Sequence, residues 1–283
     1  MTAMQICNAG QTFIIVLTAL SAMACDDHQG TQPTPDHVAE VTQPTLNPAY
    51  YQPKAQQGDA YAQLMLGFIY YSGAGVPKDY AEALSWYRKA ADQGTAEAQF
   101  SLGHMYDNGK GVPEDHAEAV KWYRKAADQG LAKAQFNLGT MYNNGQGVPE
   151  DDVEAAKWYR KAANQGLAEA QFNLGQMYHN GKGVPEDHAE AVKWYRKAAD
   201  QGYTLAQYNL GISYALGQGV PQDHVLAHLW VNLACSQAPT ATEREDWSDT
   251  RQRIAAKMTR EQISEAQRLA REWTQQHPPR DPQ

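Results

Sequence analysis

The chain has few cysteines, no stripe of basic residues and a single long apolar run, and each scarcity closes off a class of function. Three cysteines in 283 residues, at 7, 25 and 235, sit in unrelated settings and supply no disulfide framework. Cys235, within Leu233-Ala234-Cys235, reads as a small buried hydrophobe. Acidic residues outnumber Lys and Arg by 32 to 24, and the excess is spread along the chain. This argues against a nucleic-acid partner and against an anionic membrane surface. His-Glu-x-x-His, Gly-x-Ser-x-Gly and Ser-x-x-Lys are all missing, so no catalytic residue and no metal site is expected, and no cofactor is implied.

The apolar run covers residues 12–24, too short to span a bilayer comfortably, and ends in Ala22-Met23-Ala24, the small-x-small form of an export cleavage site. Residues 1–24 therefore read as a signal peptide, although residues 1–11 contain no Lys or Arg. A misassigned start codon would explain that lack of charge, and the alternative to export is a cytoplasmic adaptor whose apolar N-terminus is not a signal. Cys25 comes directly after the run, and Leu20-Ser21-Ala22-Met23-Ala24-Cys25 resembles the modification site of bacterial lipoproteins. That resemblance implies lipidation of Cys25 as the alternative to simple cleavage, with Asp26 and Asp27 favouring retention at the inner membrane. Either way the protein is expected in the periplasm or cell envelope, touching the membrane only through such an anchor.

Residues 25–57 are rich in Pro, Thr, Gln and Asp without an apolar period, which predicts a flexible tether. Its end looks like a decayed half-repeat that caps the segment beginning at Gly58, because Tyr50-Tyr51 stand 36 residues before Trp86-Tyr87. Pro53 is expected to interrupt any helix there.

What the chain does have is one text repeated. Gly58, Gly94, Gly130, Gly166 and Gly202 are 36 apart, as are Pro77, Pro113, Pro149, Pro185 and Pro221, and Trp86, Trp122, Trp158, Trp194 and Trp230. A fixed period of this size marks stacked units, none of which can bury its apolar face alone. The five units are 58–93, 94–129, 130–165, 166–201 and 202–237, and 238–283 should form capping helices and a tail from Gln275 onward.

Each unit divides into two helical patterns. In the second, helix A runs from about Ala96 to Tyr106, with Ala98, Phe100, Leu102, Met105 and Tyr106 on its apolar face. Gly109 is placed for the left-handed conformation that ends a helix, and Pro113 holds Val112 extended so that it plugs the turn. Helix B begins after Asp115, and Asp115 with Glu118 has capping-box spacing; Leu226 replaces that Glu in the fifth unit. Ala119, Val120, Trp122, Tyr123, Ala126 and Ala127 form its buried side. Beyond the units, 242–258 reads as one helix, and Thr259 with Gln262 has capping-box spacing before another.

The pattern Ala-x-Ala-Gln-Phe-x-Leu-Gly-x-Met-Tyr from Ala96, Gly-x-Gly-Val-Pro-x-Asp from Gly109 and Ala-x-x-Trp-Tyr-x-Lys-Ala-Ala-x-Gln-Gly from Ala119 resembles the Sel1-like repeats, which are related to tetratricopeptide arrays. The resemblance implies an all-α fold, an α/α solenoid of five helical hairpins, and a binding role. Cysteine-rich relatives in that family have been linked to penicillin binding and β-lactam hydrolysis, which supplies an alternative function. The paired cysteines of those relatives are missing here.

Apparent motifs inside the repeat do not hold up. Residues 103–111 end in Gly-Lys-Gly but have the wrong spacing for a phosphate loop and lack its Ser or Thr. Residues 107–118 have acids at both ends, yet Val112 stands where a calcium loop needs Gly. His224 and His228 share a helix face without a third ligand, so a surface location is expected.

The candidate site comes from comparing units. Glu97, Ser101, His104 and Asn108 fall on one face of helix A, succeeded in the next units by Lys133, Asn137, Thr140 and Asn144, by Glu169, Asn173, Gln176 and Asn180, and by Leu205, Asn209, Ile212 and Leu216. Units two and four differ at only four positions, 95/167, 101/173, 104/176 and 107/179, and three of those lie on or beside this face. A polar face that varies between otherwise identical units suits a groove for an extended ligand. The expected partner is a protein or peptide, with an envelope polymer as a further option. The alternative is a solvated side that drifted after duplication.

Overall fold

The computed structural model describes residues 46–278. They form thirteen α-helices, and no strand occurs among them. Helix α1 (Pro48–Gln56) precedes five hairpins: α2 (Ala60–Ser72) with α3 (Tyr80–Asp92), α4 (Ala96–Asp107) with α5 (His116–Asp128), α6 (Ala132–Asn144) with α7 (Asp152–Asn164), α8 (Ala168–Asn180) with α9 (His188–Asp200), and α10 (Thr204–Leu216) with α11 (His224–Ser236). Then come α12 (Ala241–Ala255) and α13 (Arg260–Gln276). Each helix packs mainly on its neighbours in sequence, which is the arrangement of an α/α solenoid, and α13 returns to pack on α11.

The helix boundaries result from local chemistry. Asp79, Asp115, Asp151 and Asp187 each accept the backbone N–H three residues on, at 2.9 Å, satisfying a donor that the helix itself leaves unpaired. Only this half of the expected capping box forms. Glu118, Glu154 and Glu190 turn outward to Lys121, Lys157 and Lys193 instead. In the first unit Ser85 stands where that Lys would be, and Glu82 accepts from Trp86 Nε1 at 2.9 Å. Losing the Glu in the fifth unit does not remove the cap, because Asp223 accepts from both Val225 and Leu226.

A buried amide ladder joins consecutive hairpins. Gln99 donates to Ala91 O of the previous unit at 3.2 Å, while its own carbonyl accepts from Gln129 at 2.7 Å, and Gln129 also donates to Gly94 O. Gln63, Gln135 and Gln171 repeat the arrangement with Gln93, Gln165 and Gln201. The second glycine of each Gly-x-Gly is pressed on the preceding unit: a Cβ on Gly111 would stand 2.6 Å from Tyr80 O.

Both ends differ from expectation. The stretch read as tether is already helical from Pro48, since Asn47 caps α1 by accepting from Ala49 N and Pro48 needs no N–H at the first position. Pro53 sits inside α1 without breaking it, and the burial of Tyr51 and Ala55 against the first hairpin offsets the one lost hydrogen bond. At the other end, α13 has the full Thr259–Gln262 capping box and continues to Gln276, with His277 stacked on Trp273 at 4.3 Å. The proposed signal peptide, Cys25 and most of the tether lie outside the described residues, as does the tail from residue 279.

The last hairpin shows why the stack stops. Lys193 and Lys197, on the outer side of α9, become Leu229 and Leu233 in α11, and both leucines are buried. That apolar outer side needs a cover, which α13 provides: Trp230 meets Trp273 edge to face at 6.0 Å, in place of the Lys197-over-Trp194 contact one unit earlier. Contrary to the surface location expected from the sequence, His228 is 4% exposed.

Candidate functional site

Helix A of each hairpin brings the predicted residues onto one row. Glu97, Ser101, His104, Lys133, Asn137, Thr140, Glu169, Asn173, Gln176 and Asn209 are half-buried, while Asn108, Asn144 and Asn180 at the ends of their helices are exposed. The residues are therefore neither packed inside nor fully solvated. They form the wall of the helix-A face, with main-chain and tyrosine groups behind them.

The tyrosines are what sequence reading missed. Tyr87, Tyr123, Tyr159 and Tyr195 on the B helices belong to the core, as their register predicts, but their hydroxyls reach the helix-A row. Tyr159 donates to Thr140 Oγ1 at 3.1 Å and Tyr195 to Gln176 Oε1 at 3.1 Å, each within its own hairpin. The same oxygens pair with the next unit: Tyr87 with Ser101, Tyr123 with Asn137, Tyr159 with Asn173 and Tyr195 with Asn209. The recurrence of Tyr at one register, one turn before an Ala-Ala pair, was the available signal. Burial holds all four hydroxyls above the ordinary tyrosine range, so they act as neutral donors.

A donor chain results. The Asn173 amide gives to Tyr159, Tyr159 gives to Thr140, and Thr140 gives to Phe136 O at 3.1 Å. An amide carries two N–H donors and an acceptor oxygen. One bond to a tyrosine orients the side chain and leaves hydrogen-bonding capacity for something laid across the row.

The row is not uniform. Between the first and second hairpins, Tyr71 OH lies 3.3 Å from His104 Nδ1, and burial lowers the His104 imidazole below its ordinary value against the opposing pull of Asp107. Lys133 is lowered by burial and raised by Glu169 on the next unit. In the fifth hairpin the row turns apolar, with Ile212 half-buried and Leu216 61% exposed.

Beside the row, Asp107 Oδ1 lies 2.9 Å from His116 Nδ1 and accepts from Tyr123 at its other oxygen. The His116 Nε2 that a nucleophile would need faces Glu114 at 3.4 Å. In the fourth hairpin the equivalent pair is His179 and His188, with ring centroids 4.8 Å apart. Among the described residues no three His, Cys, Asp or Glu side chains converge as a metal site, and no helix is long and apolar enough to cross a membrane.

The Sel1 repeat family model matches five consecutive segments, 60–95, 96–131, 132–167, 168–203 and 204–239. Among solved structures, a protective antigen present in uropathogenic Escherichia coli strains is similar at 37% identity with a TM-score of 0.74, over 82% of this chain. The match spans 49% of the antigen, so the chain covers about half of that relative's length. A Sel1 repeat protein from Oxalobacter formigenes is similar at 34% identity with a TM-score of 0.67, over 80% of this chain and 95% of that one. No curated protein sequence matches the chain.

Proposed function

Because the chain belongs to the Sel1 repeat family, we propose that it is a non-catalytic scaffold of the bacterial cell envelope whose helix-A face holds an extended segment of a protein partner. One observation carries this reading. Units two and four are identical at 32 of 36 positions, that is 36 less the four that differ, and two of the four changes, Ser101/Asn173 and His104/Gln176, fall on the half-buried row. Variation that falls on this row in otherwise near-identical units is what selection for a ligand would leave on a repeat scaffold.

The chemistry of the row supports a peptide backbone as the thing held. From Ser101 to Asn209 it offers amides and hydroxyls at a regular spacing, oriented by buried tyrosines, with few net charges. The apolar pair Ile212 and Leu216 then suits a bulky side chain at one end of that segment.

Changing Asn137, Asn173 and Asn209 together to Lys tests the reading. In a pull-down from envelope extract, partners retained by the wild type should be lost; an unchanged set of partners removes the row from the site. Export and anchoring are tested separately by palmitate incorporation, expected in the wild type and absent in Cys25→Ala. A chromogenic β-lactam assay on the purified chain should give no turnover above background.

A further inference from the structure

His228 is an exception to the repeat. Its equivalents one to four units earlier are Val192, Ala156, Val120 and Leu84, all apolar, and three of these are buried. The histidine appears only where α12 and α13 dock on the last hairpin. It is as buried as the valines it replaces, and its Nδ1 has no hydrogen-bond partner.

Arg251 of α12 reaches α11 one turn beyond this position. In earlier units an arginine of helix B donates across to a tyrosine of the next helix A, as Arg160 does to Tyr178. At the cap the roles are exchanged: Asn232 occupies the arginine's register on α11 and accepts from Arg251 Nη1 at 2.7 Å. Asn232 is one turn beyond His228 on the same helix, so the bond that docks α12 also holds a guanidinium beside the imidazole.

We propose that docking of the α12–α13 cap is a pH-sensitive contact, opened when the buried His228 imidazole takes up a proton beside the Arg251 guanidinium. Two cations would then share a site with little water. Of the elements packed on α11, α10 carries no charged residue, and α12 presents Arg251. On α13, Arg268 is engaged with Glu265 and Glu272 on the exposed side. On α11 itself the titratable neighbours are His224, one turn before, and Cys235, which also feels Arg251. The α12 carboxylates Asp246 and Asp249 line a cavity with Tyr208 and Arg253 that His228 does not reach, and both burial and Arg251 lower the proton affinity of His228.

The test uses the full chain and His228→Val, the residue found in units two and four. Hydrogen exchange of α12 and α13 is compared with that of α6 and α7, which carry no histidine, at about pH 7.5 and about pH 5, either side of the ordinary histidine range. In the wild type, exchange in the cap should accelerate relative to α6 and α7 by on the order of tenfold at the lower pH, a factor equal to about 1.36 kcal/mol. In His228→Val the ratio should stay constant. No acceleration in the wild type, or the same acceleration in the variant, overturns the proposal. Should His228→Val not fold, Arg251→Gln gives a second reading by NMR titration of the His228 ring. Removing the guanidinium should move its midpoint upward, and an unmoved midpoint also overturns the proposal.

Discussion

Gly103 of α4 lies flat against the ring of Tyr123 on α5, so close that a Cβ would stand 2.6 Å from Tyr123 Cδ1. Gly139 with Tyr159 and Gly175 with Tyr195 have the same contact, and it sets the spacing of the two helices in each hairpin. In the fifth unit Val231 takes the tyrosine's place against Gly211. The close approach is also what carries the tyrosine hydroxyl through to the helix-A row, so one glycine in each of the first four hairpins links packing to the site.

Gly139→Ala should therefore cost about 1–3 kcal/mol, the usual penalty for overpacking, despite the better helix propensity of alanine. The methyl would meet Tyr159 Cδ1 at 2.9 Å and the Ala155 carbonyl oxygen at 3.3 Å. Chemical denaturation of the variant should show the lower midpoint. A midpoint equal to that of the wild type would mean that the ring moves without cost.

The amide ladder predicts a difference between two equivalent glutamines. Gln135→Leu would remove two hydrogen bonds, to the Ala127 carbonyl and from the Gln165 amide, a loss of about 1–3 kcal/mol even though each partner keeps a bond to Gly130. Gln207→Leu should cost less, because the carbonyl of Gln207 already has no partner while its Nε2 bond to Ala199 O is long at 3.3 Å. Equal losses in thermal unfolding of the two variants would contradict the ladder as a source of stability.

Much of the fold is legible from spacing alone. The 36-residue period, the Asp caps, the left-handed glycines and the core registers of helix B all depend on local sequence, and a tandem copy reports them five times over. The tyrosine hydroxyls do not show, because a residue on a buried face reads as buried throughout, and only the glycine opposite lets its tip emerge. His228 misleads for a related reason: the register of Val192 makes it internal, but a histidine pair at helical spacing looks like surface when read without the cap above it. Pro53 misleads because propensity at one position is outweighed by the packing of Tyr51 and Ala55.

His104 gives a pH dependence with a defined sign. Its folded-state proton affinity is lowered, chiefly by burial, so below the ordinary value of 6.5 the unfolded chain binds more protons than the folded one. The stability it contributes is present above that value and is lost as pH falls from there toward the depressed folded value. His104→Gln, the residue at the same register in unit four, should make the acid loss of stability shallower. His179 and His228 are lowered too, so some loss should remain. Urea midpoints measured across that range test it, and parallel curves for wild type and variant would exclude His104 as a contributor.

The apolar end of the row separates a binding surface from a merely solvated one. Leu216 is 61% exposed at the register filled by Asn108, Asn144 and Asn180, so it contributes little to the core, and a leucine facing water has no structural reason to be preferred there. Leu216→Asn should leave stability within about 0.5 kcal/mol, as for surface changes away from special features. If the row holds a segment whose bulky side chain rests on Ile212 and Leu216, the same change should weaken retention of the partner while Val153→Asn, at an exposed apolar residue on α7 away from the row, should not. Comparing the two variants in one pull-down decides the matter. Equal retention by both would make Leu216 an incidental surface residue, and loss confined to Leu216→Asn would fix the end of the row at which the partner's apolar residue sits.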